Sequence, residues 1–362
     1  MPLGRFFARN YREGLLVMKK EILAKQIKLI NSEHEIHYTA SGNSGAITAI
    51  IKKEVKNYFL KANYYRSIDF PRNRLAHRKV SRMKEVCAIY EELEIPGLKI
   101  VDADVTKNFK PYIIYEFIEG QNISKALNKM TNTEIQRKGY EIGKYEKKLN
   151  AYKGESRYIE KIDNIQLYTE KLVRSVQRSL LNPKGFTFPI EDFYIGKIME
   201  LGTMLFDLAT YFDNSQLELT HGDLSWGNVF YQKNGEIVFI DLDTCKYSHF
   251  SLSHKNITKA IFHKNPSVKR RYKSFYIGLF NGRYEDIGFP DDLNKQLLYC
   301  VIRSFFWKMK REIKSDNKDV LEVAINEFFD FFSYIRLWDK KIHVDMLKMI
   351  GSRSKNGLFL SI

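Results

Sequence analysis

A chain of 362 residues, 44% hydrophobic and 14% aromatic, is long enough for one large or two medium domains with real cores, which excludes a disordered or low-complexity protein. Its 59 Lys and Arg against 43 Asp and Glu leave a net charge of +16, a balance that favours anionic partners: nucleotides, phosphorylated sugars, anionic lipid or nucleic acid. No apolar run approaches the ~20 residues that cross a bilayer, and no hydrophobic signal core opens the chain, so the expected location is the cytoplasm.

Cys87, Cys245 and Cys300 are odd in number and widely spaced, which points to a reducing compartment without a disulfide framework or a zinc site. Residues 1–17 hold three Arg and no Lys, unlike the Lys-rich remainder, and Met18-Lys19-Lys20-Glu21 reads as a second possible start. The first 17 residues are therefore expected to be a dispensable arm or upstream sequence read as coding, with an ordinary basic arm as the alternative. With the apolar-periodic Glu21–Ile30, read as a helix or lead-in strand, they make a first segment, 1–35.

From residue 36 the pattern turns to strands. Ser41-Gly42-Asn43-Ser44-Gly45-Ala46 reads as a flexible turn between two strands, the second being the β-branched run Ile47–Ile51. Its backbone N–H groups could lie over a polyphosphate. Tyr58-Phe59-Leu60-Lys61-Ala62 is a further strand, with Lys61 in apolar company that a lysine seldom keeps without a partner. Val80, Met83, Val86, Ile89 and Leu93 fall at helical spacing and predict a helix over 78–93, carrying Glu85 and ended by Pro96-Gly97. Tyr112–Tyr115 is a buried strand, and Glu116–Gly120 leads out of it. The domain boundary is placed here, giving 36–118 and 119–362. Helices are expected over 132–151, 163–181, 193–212, 291–314, 320–336 and 339–350. The fold class is α+β: a small N-terminal sheet with one helix, then a larger, mainly helical region.

The chemistry concentrates between Leu217 and Phe250. Asp223 follows His221-Gly222, Asn228 comes five positions later, and Asp241 and Asp243 lie on the next strand. Asn234-Gly235 favours a two-residue type I′ turn, since both residues tolerate positive φ. Val229–Tyr231 and Ile237–Ile240 are then hairpin arms that bring Asn228 and Asp241 to one end. Such hard oxygen donors suit Mg2+, which takes few protein groups and completes its shell with phosphate and water.

A strand lysine, a glutamate on the next helix, an Asp-x-x-x-x-Asn unit and a downstream Asp are the parts phosphoryl transfer needs: charge neutralisation, a metal and an oriented nucleophile. His221 through Asn228 has the spacing of the protein-kinase catalytic loop. The wording His-Gly-Asp-Leu-x-x-x-Asn-Val, followed by Phe-Ile-Asp-Leu, resembles the aminoglycoside phosphotransferase and choline-kinase-like branch of that fold. Protein kinases have Arg after the His and usually Lys two after the Asp, where this chain has Gly222 and Ser225.

The resemblance covers about Ile36 to Tyr247 and implies a two-lobe, protein-kinase-like fold with an antiparallel N-terminal sheet, using ATP and Mg2+. It implies Asp223 as catalytic base or orienter of the acceptor hydroxyl, Asn228 and Asp241 as metal ligands, and Lys61 on the α/β-phosphates with Glu85 as its partner. Ser41, Gly42, Asn43, Ser44 and Gly45 would cover the nucleotide, while the Glu116 carbonyl and Ile118 N–H would face adenine. His221 would be a structural hydrogen-bonder, and Asp243 either a second metal contact or a solvated acid.

Thr244 to Tyr284 contains no Asp or Glu but nine cations: Lys246, Lys255, Lys259, Lys264, Lys269, Arg270, Arg271, Lys273 and Arg283. A polycationic aminoglycoside would be repelled there. The expected acceptor is therefore a small molecule or glycan of anionic character, such as an acidic sugar or a lipopolysaccharide or capsule precursor, with contact to the inner face of an anionic membrane allowed. An aminoglycoside or choline-type kinase and a protein kinase acting on proteins are the alternatives. No recognition motif supports nucleic acid as a partner. His249, His254 and His263 have no metal-ligand spacing, even with Cys245, and read as surface or core histidines.

Overall fold

The computed structural model describes residue 27 and residues 34–39, 46–54, 56–63, 72–106, 111–181, 192–212, 217–254, 256–315, 352–353 and 359–360. The principal elements in chain order are β1 (Glu35–Tyr38), β2 (Ala46–Lys53), β3 (Lys56–Asn63), α1 (Arg72–Glu92), β4 (Ile100–Val105), β5 (Pro111–Glu116) and β6 (Gly120–Asn122). They continue with α2 (Asn132–Asn150), β7 (Glu160–Lys161), α3 (Ile165–Leu181), α4 (Asp192–Ala209), β8 (Glu218–Thr220), β9 (Val229–Gln232) and β10 (Ile237–Phe239). The last are β11 (Lys246–Ser248), α5 (Ile257–Phe262), α6 (Pro266–Tyr284) and α7 (Leu293–Ser315). The helices expected over 320–336 and 339–350, the glycine-serine turn at 41–45 and the arm at 1–17 lie outside the described residues.

The chain divides into two units. The first comprises Met1–Gln121, Ser156–Tyr158 and Phe230–Asp243, and the second the remainder. In the first, five antiparallel strands run in the order β1-β2-β3-β5-β4. Side chains alternate across a strand with period two. Ile47, Ala49, Ile51, Leu60, Ala62, Tyr112 and Ile114 therefore fill a core on one face. Lys61 sits on the opposite face, in register with Ile113. Because β3 is an interior strand, Lys61 cannot reach water along a sheet edge.

In the same unit, β10, β9 and β6 form a small sheet. The connection after α1 clasps β10: the Phe239 N–H donates to the Pro96 carbonyl at 2.8 Å, and Tyr90 meets the Phe239 ring edge-on. The turn of this hairpin differs from expectation. The Gly235 N–H donates to the Gln232 carbonyl and the Gln232 N–H to the Glu236 carbonyl, while Gly235 alone enters the left-handed region, at φ +88°. This is a three-residue loop, a type I turn closed by a glycine bulge, rather than a type I′ turn. The Asn234 side chain explains the choice. Its oxygen accepts from the Glu236 N–H at 3.1 Å, a local bond that holds Asn234 out of the left-handed conformation.

The second unit is mainly helical. Thr131 and Glu134 form a reciprocal capping box that starts α2. Asn265 caps α6, which has Pro266 in its first turn. These two helices approach until backbones touch. A Cβ at Gly139 or Gly143 would strike the carbonyls of Phe275 or Leu279, and one at Gly278 or Gly282 would strike those of Gln136 or Tyr140. Within this core His254 is buried, its Nε2 3.3 Å from Glu146, among the rings of Phe250, Tyr276 and Phe280. Cys87, Cys245 and Cys300 are free and buried. Among the described residues no helix is long and apolar enough to cross a membrane.

Candidate functional site

The site is built separately in each unit. In the first, Lys61 on β3 meets the carboxylates that follow β10. Its Nζ lies 2.5 Å from Asp241 Oδ1 and 3.2 Å from Asp243 Oδ2. Burial alone would lower the Lys61 pKa, but attraction to Asp243 and Asp241 outweighs it and the pKa is raised. Asp241 has a φ of +60°, a conformation rare outside glycine and tolerated best by Asn and Asp. Such a strained position is characteristic of residues held for function.

The sequence reading missed one member of this group. Lys79, on α1, places its Nζ 3.6 Å from the same Asp243 oxygen that Lys61 contacts. Burial lowers its pKa against the pull of Asp243, and Lys61 adds repulsion. Glu85, also on α1, is engaged elsewhere: it accepts from the Ser156 hydroxyl at 2.7 Å. The pairing of Lys61 with Glu85 is therefore not the one formed; the two aspartates take its place.

In the second unit, the Asp223–Asn228 stretch is a tied turn. The Asn228 side-chain N–H donates to the Asp223 carbonyl at 2.8 Å, which leaves the amide oxygen as its acceptor group. The Ser225 N–H donates to the same carbonyl. Ser253 holds the chain on either side of Asp223: its hydroxyl accepts from the Gly222 N–H at 3.2 Å and its carbonyl from the Leu224 N–H at 3.1 Å. Trp226 stacks on Tyr272 of α6 with centroids 3.6 Å apart. His221 is 1% exposed, and its carbonyl accepts from the Thr244 hydroxyl at 2.8 Å. Gly222, at φ +77°, has no room for a Cβ beside the Thr244 carbonyl. A half-buried carboxylate is thus presented on a backbone fixed from three sides.

Glu116 closes β5 in the first unit, its N–H donating to the Lys99 carbonyl, and the Phe117 N–H donates to the Asn57 carbonyl. A cavity of about 930 Å³ adjoins this connection and is lined by Glu116–Glu119, the end of α1 and the hairpin arms. Lys61, Asp241 and Asp243 are not among its lining residues, so the cavity is distinct from the charged centre.

The model of the phosphotransferase enzyme family, APH, matches residues 40–251, more than half of the chain. The chain belongs to this family. As an APH-family member it is a phosphotransferase with a hydroxyl as acceptor. Solved structures agree on the protein-kinase-like fold. The GDP and kanamycin complex of APH(2")-IIia superposes with a TM-score of 0.64 at 11% identity, covering 88% of this chain and 99% of that one. The streptomycin–ATP complex of APH(2")-IIa gives 0.55 at 14% identity, over 86% and 95%. ADP-bound APH(2")-Ib gives 0.55 at 14%, over 85% and 95%. At these identities the likeness speaks for the fold. No curated protein sequence matches the chain.

Proposed function

We propose that this APH-family chain moves the γ-phosphoryl group of ATP, bound with Mg2+, to a hydroxyl of a small molecule or glycan. The observation that carries the reading is the convergence, within the first unit, of a strand lysine, Lys61, on carboxylates some 180 positions away; the second unit carries a tied Asp-x-x-x-x-Asn turn. Lys61 holds the α/β-phosphates. Asp241 and the Asn228 amide oxygen fit Mg2+, being hard oxygen donors few enough to leave positions for phosphate and water. When bound, Mg2+ supplies neutralisation of the phosphate charge. The Asp223 carboxylate orients the acceptor hydroxyl and takes its proton late in the transfer, since an aspartate is a weak base near neutral pH. The Glu116 carbonyl and the Ile118 N–H face adenine, and residues 41–45 cover the phosphates.

For the acceptor, the carboxylate-free run after Asp243 supports an anionic sugar or an envelope glycan precursor, and the same cations would favour contact with an anionic membrane surface. The structure trims this argument. Arg283 is buried against Glu218 at 2.8 Å, Arg271 bonds Asn128, and Lys259 bonds the Tyr272 hydroxyl. Lys264 and Arg270 remain exposed, with Lys269 and Lys273 half-buried. The second reading, an aminoglycoside acceptor, is favoured by the kanamycin and streptomycin bound to two structures of similar fold. ADP release measured over acidic sugars, glycan precursors, aminoglycosides and choline decides between them. Turnover on an acidic sugar supports the first reading, and turnover confined to aminoglycosides overturns it.

A further inference from the structure

Two lysines from different elements converge on one carboxylate oxygen. Lys61 reaches Asp243 Oδ2 from β3 at 3.2 Å, and Lys79 reaches it from α1 at 3.6 Å. Both side chains are largely enclosed, 17% and 21% exposed, and both line the same small cavity with Met83, Ile113 and Tyr115. The Lys79 contact is an ion pair, so both ammonium groups are drawn to one carboxylate oxygen. Meanwhile Glu85, the acid of α1, is turned to Ser156. What α1 brings to this centre is therefore a cation. Lys61 with Lys79 presents two positive charges where a lysine–glutamate pair would present none.

We propose that Lys79 is a second phosphate-holding residue, which with Lys61 grips the polyphosphate of the nucleotide. The inference rests on the nucleotide reading above. Asp241 and Asp243 lie against the two ammonium groups. A metal ion engaging a carboxylate there would add positive charge beside two enclosed lysines, which favours anionic oxygens close by. A polyphosphate supplies them, and each charge-assisted bond contributes affinity. Two ammonium groups on two rigid supports also select for phosphate number, which one lysine does poorly.

The test is calorimetric titration of wild type, Lys79→Met and Lys61→Met with MgATP, MgGTP and adenosine, each variant checked by thermal unfolding. Lys79→Met is expected to weaken triphosphate binding roughly 10- to 100-fold, the cost of one charged hydrogen bond, while adenosine binding is unchanged. Wild-type MgATP affinity in Lys79→Met, beside a weakened Lys61→Met, overturns the role of Lys79 and leaves the nucleotide reading intact. If Lys61→Met also binds both triphosphates as wild type does, the nucleotide reading itself fails. A parallel loss of adenosine binding in Lys79→Met means that α1 has shifted, which also overturns the proposal. Lys79→Gln gives the same readings if the Met variant does not fold.

Discussion

Gly222 shows how much a single position can carry. Its φ of +77° and the Thr244 carbonyl beside it both exclude a side chain. The left-handed conformation alone costs an alanine about 1–2 kcal/mol, and the clash adds to this. Gly222→Ala is expected to lower stability by about 2 kcal/mol or more and to reduce kcat, because relief of the clash moves the peptide before Asp223. Denaturant unfolding and steady-state kinetics check this; an alanine variant with wild-type stability and kcat contradicts it. In the sequence this glycine served only to separate the chain from protein kinases. Its physical reason lies in Thr244, 22 positions away, which no local pattern reveals. The partner of Lys61 was similarly hidden: helical spacing places Glu85 on α1, but not whether it turns toward β3 or toward Ser156.

At the scale of elements, the turn that carries Asp223 is held by packing from α6 and by the Ser253 segment. Ser253→Ala removes the hydroxyl that accepts the Gly222 N–H. A hydrogen bond of this kind contributes about 0.5–1.5 kcal/mol. The expected result is up to ~10-fold lower kcat with unchanged nucleotide KM, and recovery in Ser253→Thr. Equal kcat in Ser253→Ala and wild type would count against a positioning role. The glycine-lined contact of α2 with α6 gives a second test. Gly143→Val is expected to cost about 1–3 kcal/mol by overpacking, read as a lowered unfolding midpoint. Elements with strong periodicity and clear stops were legible in advance: β2, β3, β5, α1, α2, α3, α4 and α7. β4 was not, because it is a sheet edge, where polar residues such as Asp102 and Asp104 interrupt the apolar pattern. α6 was also passed over. Its Asn-Pro start and its apolar Tyr272, Phe275, Tyr276, Leu279 and Phe280 were readable, but the cations between them drew the reading toward charge.

At the scale of the whole molecule, a net charge of +16 invites an anionic partner, yet the structure shows that a cation count overstates the case. Arg283 serves the core, and Arg271 and Lys259 serve local bonds. Only cations left facing solvent can attract an acceptor from a distance, and such attraction is largely screened at ~1 M salt. An anionic acceptor should therefore show a KM that rises with salt while kcat stays constant; a KM indifferent to salt removes the charge argument. What the sequence conveyed best was chemistry in order along the chain: strand lysine, Asp-x-x-x-x-Asn, then Asp. Composition alone could not show which charges are spent on folding.

The central claim is phosphoryl transfer oriented by Asp223, with the nucleotide held at Lys61 and Asp241. MgATP binding and acceptor turnover measured side by side in Asp223→Asn and Asp241→Ala test it most directly. Asp223→Asn should bind MgATP as wild type does while kcat falls roughly 100- to 10,000-fold, the range for loss of a general base. Asp241→Ala should lose Mg2+-dependent nucleotide binding. Normal turnover in Asp223→Asn would contradict the account.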